Sequence, residues 1–180
     1  MKKPLKTFPL FKSIDQAFLK TYDALASSGV KVASYGIQTA SSSSTDKLSR
    51  MDRIAEATWV LESARKLLST EQLACVTCTY DGIDEARAGA INTLSAQHAD
   101  VHANPDLVRE AFIREFDFGE TYSKSLREIA AACGTSYGSV FRAGNKVKAI
   151  VKSIRRDIDA ALRPEFEARG WLRGREVEST

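Results

Sequence analysis

The sequence predicts a mainly α fold, a multi-helix domain with a C-terminal helix-turn-helix whose second helix is long. Three observations predict it. Apolar residues recur at helical spacing in one segment after another; no alternating series marks a sheet; and Gly, Pro or Ser-rich breaks fall where helices start or stop. With 180 residues, 43% apolar and 27% charged, the chain has the size and composition of one globular domain, or a compact domain with an appendage. No apolar run approaches the roughly 18 residues a membrane span needs.

The first twelve residues, MKKPLKTFPLFK, form a basic arm interrupted by Pro4 and Pro9, with no apolar stretch of the signal-peptide kind. The three cysteines do not resemble a secreted disulfide framework. Both features predict a cytoplasmic protein with no membrane partner. Ser13 can cap a helix whose apolar positions are Ile14, Ala17, Phe18, Tyr22 and Leu25, ending at Gly29. Val30 and Val32 suggest a short extended piece, and the Ser-rich stretch 40–46 reads as a linker. The predicted division is an arm and helix over 1–45, a helical DNA-binding domain over 46–164 and a tail over 165–180.

Asp46 is the expected cap of a helix over 47–68, with Leu48, Met51, Ile54, Ala55, Ala57, Thr58, Leu61, Ala64, Arg65 and Leu68 on one broad side and Trp59 off it. Ser69 and Thr70 before Gln72 open a further helix toward Gly82. The stretch 83–103 has moderate helical character. Asn104 and Pro105 then make a strong helix start, with Leu107, Val108, Ala111, Phe112 and Phe116 on one face and Gly119 as the stop.

The segment 125–149 carries the helix-turn-helix. Leu126, Ile129, Ala130 and Cys133 point inward on a first helix, Gly134 sits where a tight exit wants positive φ, and Ser136 can cap a second helix. So short a connection forces a steep crossing. Ala130 is small where the helices approach, and Val140 fills the space between them. On the second helix Val140, Gly144, Val147, Val151, Ile154 and Ile158 fall within about 40° of one line at about 100° per residue, with Pro164 as the expected end.

The opposite face is basic. Between residues 121 and 163 nine Lys or Arg stand against Glu128, Asp157 and Asp159, a net +6 in a chain whose total is +3. Such a concentration suits a polyanion. In a helix-turn-helix the start of the second helix enters the major groove, so the expected base-reading residues are Ser136, Tyr137, Gly138, Ser139, Phe141, Arg142 and Asn145. Arg142 suits guanine and Asn145 adenine; Lys146, Lys148, Lys152 and Arg156 suit phosphates.

Cys75 and Cys78 in CVTC, with His98 and His102 in HADVH, offer the ligand types of a structural zinc site, although cysteines inside a helix also serve as small core residues. No phosphate loop, nucleophile elbow or organised acid pair is present, so no catalytic residue and no enzyme is predicted. The function expected is that of a sequence-specific transcription regulator on double-stranded DNA. A simple repressor or activator, and a helical protein-interaction adaptor whose basic helix docks an acidic partner, are the alternatives.

STEQLACVTCTYDG followed, after an insertion, by YSKSLREIAAACGTSYGSVFRAGNKVKAIVKSI resembles the helix plus helix-turn-helix of region 4 in bacterial sigma factors. A region-4-like module in a chain of this size is also similar to the Q-type late antitermination proteins of lambdoid phages, some of which carry a zinc-binding insertion. The resemblance implies a transcription antitermination factor that binds promoter-proximal DNA, engages RNA polymerase with its sigma factor and converts it to a form that ignores terminators, with Ala130, Gly134 and Val140 as scaffold.

Overall fold

The computed structural model describes residues 10–27, 50–116 and 124–172. The arm up to residue 9, Gly29, the extended piece at Val30 and Val32, the Ser-rich linker, the Asp46 cap, the Gly119 stop and the tail beyond 172 lie outside the described residues. Among the described residues the chain is helical and no strand occurs: α1 (Ile14–Ser27), α2 (Arg50–Leu67), α3 (Thr70–Tyr80), α4 (Asp84–Gln97), α5 (Pro105–Phe116), α6 (Leu126–Ala132) and α7 (Tyr137–Ala168), with a 3-10 turn at Ala99–Val101. No described helix is long and apolar enough to cross a membrane.

The chain forms two compact units. The first combines residues 1–68 with 158–180, and the second is 69–157. Helix α2 falls in the first unit together with the end of α7, and α6 with the first part of α7 falls in the second.

In the first unit α1 packs on α2. Ser13 caps α1 as expected, its Oγ accepting from the Gln16 amide at 3.1 Å. Ile14, Ala17 and Phe18 are buried, joined by Phe11 just ahead of the helix. The inward face of α2 is Ala57, Val60, Ser63, Ala64 and Leu68. It is rotated from the expected side: Met51 is 74% exposed, Thr58 and Arg65 are exposed, and Val60 and Ser63 take their place. Small and apolar residues occur all around the first half of α2, so periodicity alone selects no single face.

Pro164 does not end α7. The helix continues to Ala168, because Leu162 and Phe166, one turn apart on either side of the proline, are both fully buried. One ion pair also spans it, Arg163 to Glu167 at 3.5 Å, and Arg163 meets Asp159 at 2.8 Å on the preceding turn. Packing thus outweighs the hydrogen bond a proline removes. The stop is Gly170, at φ 70°, where the Trp171 amide donates to the Phe166 carbonyl (2.8 Å) and the Gly170 amide to Glu167 (2.9 Å), a Schellman closure. Trp171 and Leu172 are core residues rather than tail. The Phe11 amide donates to the Trp171 carbonyl at 2.9 Å, and Trp171 meets the Phe166 ring edge-on at 5.1 Å.

In the second unit α3 packs on α4 and α4 on α5. Ser69 and Gln72 form a full capping box that starts α3, and Asp81 ends it. Leu94, Leu107, Val108, Phe112, Phe116, Val147 and Val151 are among its fully buried side chains, with the Phe112 and Phe116 rings stacked at 6.5 Å. Asn104 caps α5, its Oδ1 accepting from the amides of Asp106 (2.9 Å) and Leu107 (3.4 Å).

Candidate nucleic-acid interface

Helix α6 opens on a capping box: Ser125 Oγ accepts from the Glu128 amide, and the Glu128 carboxylate accepts from the Ser125 amide at 2.6 Å. These hydrogen bonds, first from the Ser125 backbone, hold the Glu128 carboxyl below its ordinary range. Ile129 and Ala130 are buried as expected, whereas Leu126 and Cys133 are only half-buried. A seven-residue helix has room for one buried ridge, and its ends face outward.

The chain leaves α6 through Gly134 at φ 59°. Thr135 N donates to the Ala130 carbonyl at 2.9 Å and Gly134 N to Ala131 at 3.3 Å, the same Schellman pattern that closes α7. Ser136 then starts α7, its Oγ accepting from the Ser139 amide at 3.2 Å and its carbonyl from the Val140 amide at 3.2 Å. Four residues, Cys133 to Ser136, therefore separate two capped helices.

Along α7 the expected stripe is buried: Val140, Val147, Val151, Ile154 and Ile158, with Gly144 half-buried and Ala143 added. The expected contact residues lie on the rest of the surface. Ser136, Tyr137, Phe141, Arg142, Asn145, Lys146, Lys148, Lys152 and Arg156 are exposed, while Gly138 and Ser139 are half-buried. Tyr137 and Phe141 are each 53% exposed, unusual for aromatic side chains on a helix with a well-filled inner face. Ser136 Oγ lies 3.1 Å from Ser139 Oγ, which accepts from Arg142 Nη2 at 3.4 Å, so three of the expected base readers form one chain of polar contacts.

Two braces join this region to the preceding segment, and nothing in the sequence spacing signals them. Asn104 Nδ2 donates to the Cys133 carbonyl at 2.8 Å, and Lys146 Nζ to the Val101 carbonyl at 3.2 Å. Lys146 thus spends one of its donors on the 3-10 turn. Arg155, not singled out in the sequence, is exposed and lies beside the Cys75 thiol.

The two cysteines and two histidines are not brought together. Among the described residues no group of three or more His, Cys, Asp or Glu is placed to hold a metal ion. Cys75 and Cys78 are core residues of α3. Burial pushes the Cys75 thiol up to about 11, against the pull of Arg155, and the Cys78 thiol up to about 12. His98 Nε2 instead meets Glu71 Oε1 at 2.5 Å, and His102 Nδ1 accepts from the Asn104 amide at 3.0 Å. Comparison of the chain with protein-family models, with curated proteins and with solved structures found no match.

Proposed function

We propose that the protein is a sequence-specific regulator of transcription that binds double-stranded DNA, with α6, the Gly134 turn and α7 acting as a helix-turn-helix. The observation that carries the reading is the combination of the four-residue turn with the surface beyond it: the first turns of α7 expose Tyr137, Phe141, Arg142 and Asn145, and Lys152 and Arg156 continue that exposure along the helix. A basic face on a helix is often only solvated. Here it begins at a capped helix start two residues after a left-handed glycine, and a groove-reading helix needs its side chains at that end. Arg142 and Asn145 supply the planar bidentate donors that distinguish guanine and adenine, and the lysines supply sequence-independent affinity.

Within that class we propose transcription antitermination on RNA polymerase as the specific role, supported by the sequence resemblance described above. That role needs a protein-binding surface as well as DNA contacts. On α1, Ile14, Ala17 and Phe18 are spent in the core, whereas Met51 and Trp59, 74% and 51% exposed on α2, offer apolar surface to a partner. The reading requires no cofactor. Selection of binding sites from a random duplex pool tests DNA reading, and transcription in vitro across a terminator, with and without the protein, tests antitermination. Enrichment of one motif with no change in read-through leaves a simple repressor or activator. No enrichment and no salt-dependent retention on duplex DNA transfers the case to the adaptor reading.

A further inference from the structure

A cleft of about 220 Å³ opens between the last turn of α5, α6 and the first half of α7, entirely within the second unit. Its floor is apolar, made by Leu126, Ile129 and Val140, and Gly144 forms part of its wall. A Cβ placed on Gly144 meets nothing within 4 Å, so no neighbouring group demands glycine there. Glycine weakens a helix interior relative to alanine. What it does at 144 is keep the wall of the cleft open to the backbone. Two cations, Arg114 and Lys148, and one acid, Glu115, stand around the opening, with the half-exposed Phe141 ring beside them.

We propose that this cleft binds a small aromatic carboxylate, with its ring against Gly144 and the Ile129–Val140 floor and its acid toward Arg114 and Lys148. The size argues for one ring system. An apolar cavity of about 150 Å³ admits benzene, so this cleft accommodates a substituted ring or a fused pair, below the roughly 300–1,000 Å³ of drug-sized sites. The rim argues for the sign: two cations against one acid favour a monoanion over a cation, and Glu115 counts against a dianion. The proposal goes beyond DNA binding and stands without it.

The test uses the full chain and 2-naphthoate as probe, titrated by calorimetry, with the 2-naphthylmethylammonium ion as the matched cation. Saturable binding of one naphthoate is expected, with the ammonium at least about tenfold weaker. Gly144→Leu, which fills the cleft from its open wall, should abolish binding while leaving helix content unchanged and the melting temperature equal or higher. Arg114→Ala, an exposed change, should weaken binding about five- to tenfold, and it decides the matter if Gly144→Leu does not fold. Absence of saturable binding up to about 1 mM, or equal affinity for acid and ammonium, overturns the proposal. Unaltered binding by Arg114→Ala, or by a folded Gly144→Leu, does the same.

Discussion

The Asn104 side chain caps α5 with its oxygen and donates its Nδ2 to the Cys133 carbonyl at 2.8 Å, so one residue fixes the start of α5 and the end of α6 together. The turn between α6 and α7 is thus held by a residue outside those two helices. Asn104→Ala should cost about 1–3 kcal/mol by urea denaturation, since it removes a cap and leaves a part-buried carbonyl unpaired. Asn104→Asp keeps the cap but sets an acceptor against that carbonyl. It should therefore lose stability as well, and full stability in Asn104→Asp would show that the tie to Cys133 contributes nothing.

Gly134 has φ 59° and open space where a Cβ would sit. Gly134→Ala should then cost about 1–2 kcal/mol from backbone conformation alone, and Gly134→Asn less, because asparagine tolerates the left-handed region. A thermal melt of the two variants beside wild type checks the order.

Glu128 gives a pH dependence of known sign. Its carboxyl is lowered in the folded chain by hydrogen bonds from Ser125. The stabilisation is thus present above the unfolded value and is lost as pH falls through the depressed folded value. An NMR titration should place the Glu128 midpoint below that of an unfolded peptide, and Glu128→Ala should flatten the acid limb of the stability profile. A midpoint at or above the ordinary carboxylate range would remove the capping box from the account.

The three thiols should separate by burial. Cys75 and Cys78 are buried and raised to about 11 and about 12, whereas Cys133 is half-buried at the end of α6. A thiol reagent at neutral pH should label Cys133 first and reach the other two only as the protein unfolds. Rapid labelling of Cys78 in the native protein would contradict its place in the core.

Much of this was legible in the sequence wherever the signal is local. Ser69 with Gln72, Asn104 with Pro105, and Gly134 with Ser136 each act within one turn of chain, and the structure has each where expected. The Ser125–Glu128 box was equally local and can be recognised from Ser-x-x-Glu. What was not legible depends on distant packing. The face of α2 turned inward by Val60 and Ser63, the passage of α7 through Pro164, and the ties from Asn104 and Val101 are set by partners far along the chain. The cysteine and histidine spacing suggested one site, but helix geometry sends the thiols into the core and pairs His98 with Glu71.

Whether α7 reads DNA is decided by fluorescence anisotropy on two duplexes, a selected site and a scrambled control, at two salt concentrations. Arg142→Ala should cost about 1–3 kcal/mol on the selected site and little on the control, narrowing the gap between them. Lys152→Ala should weaken both alike and reduce the salt slope by about one. Equal losses for both variants on both duplexes, or no salt-dependent binding by the wild-type protein, would contradict DNA reading by α7.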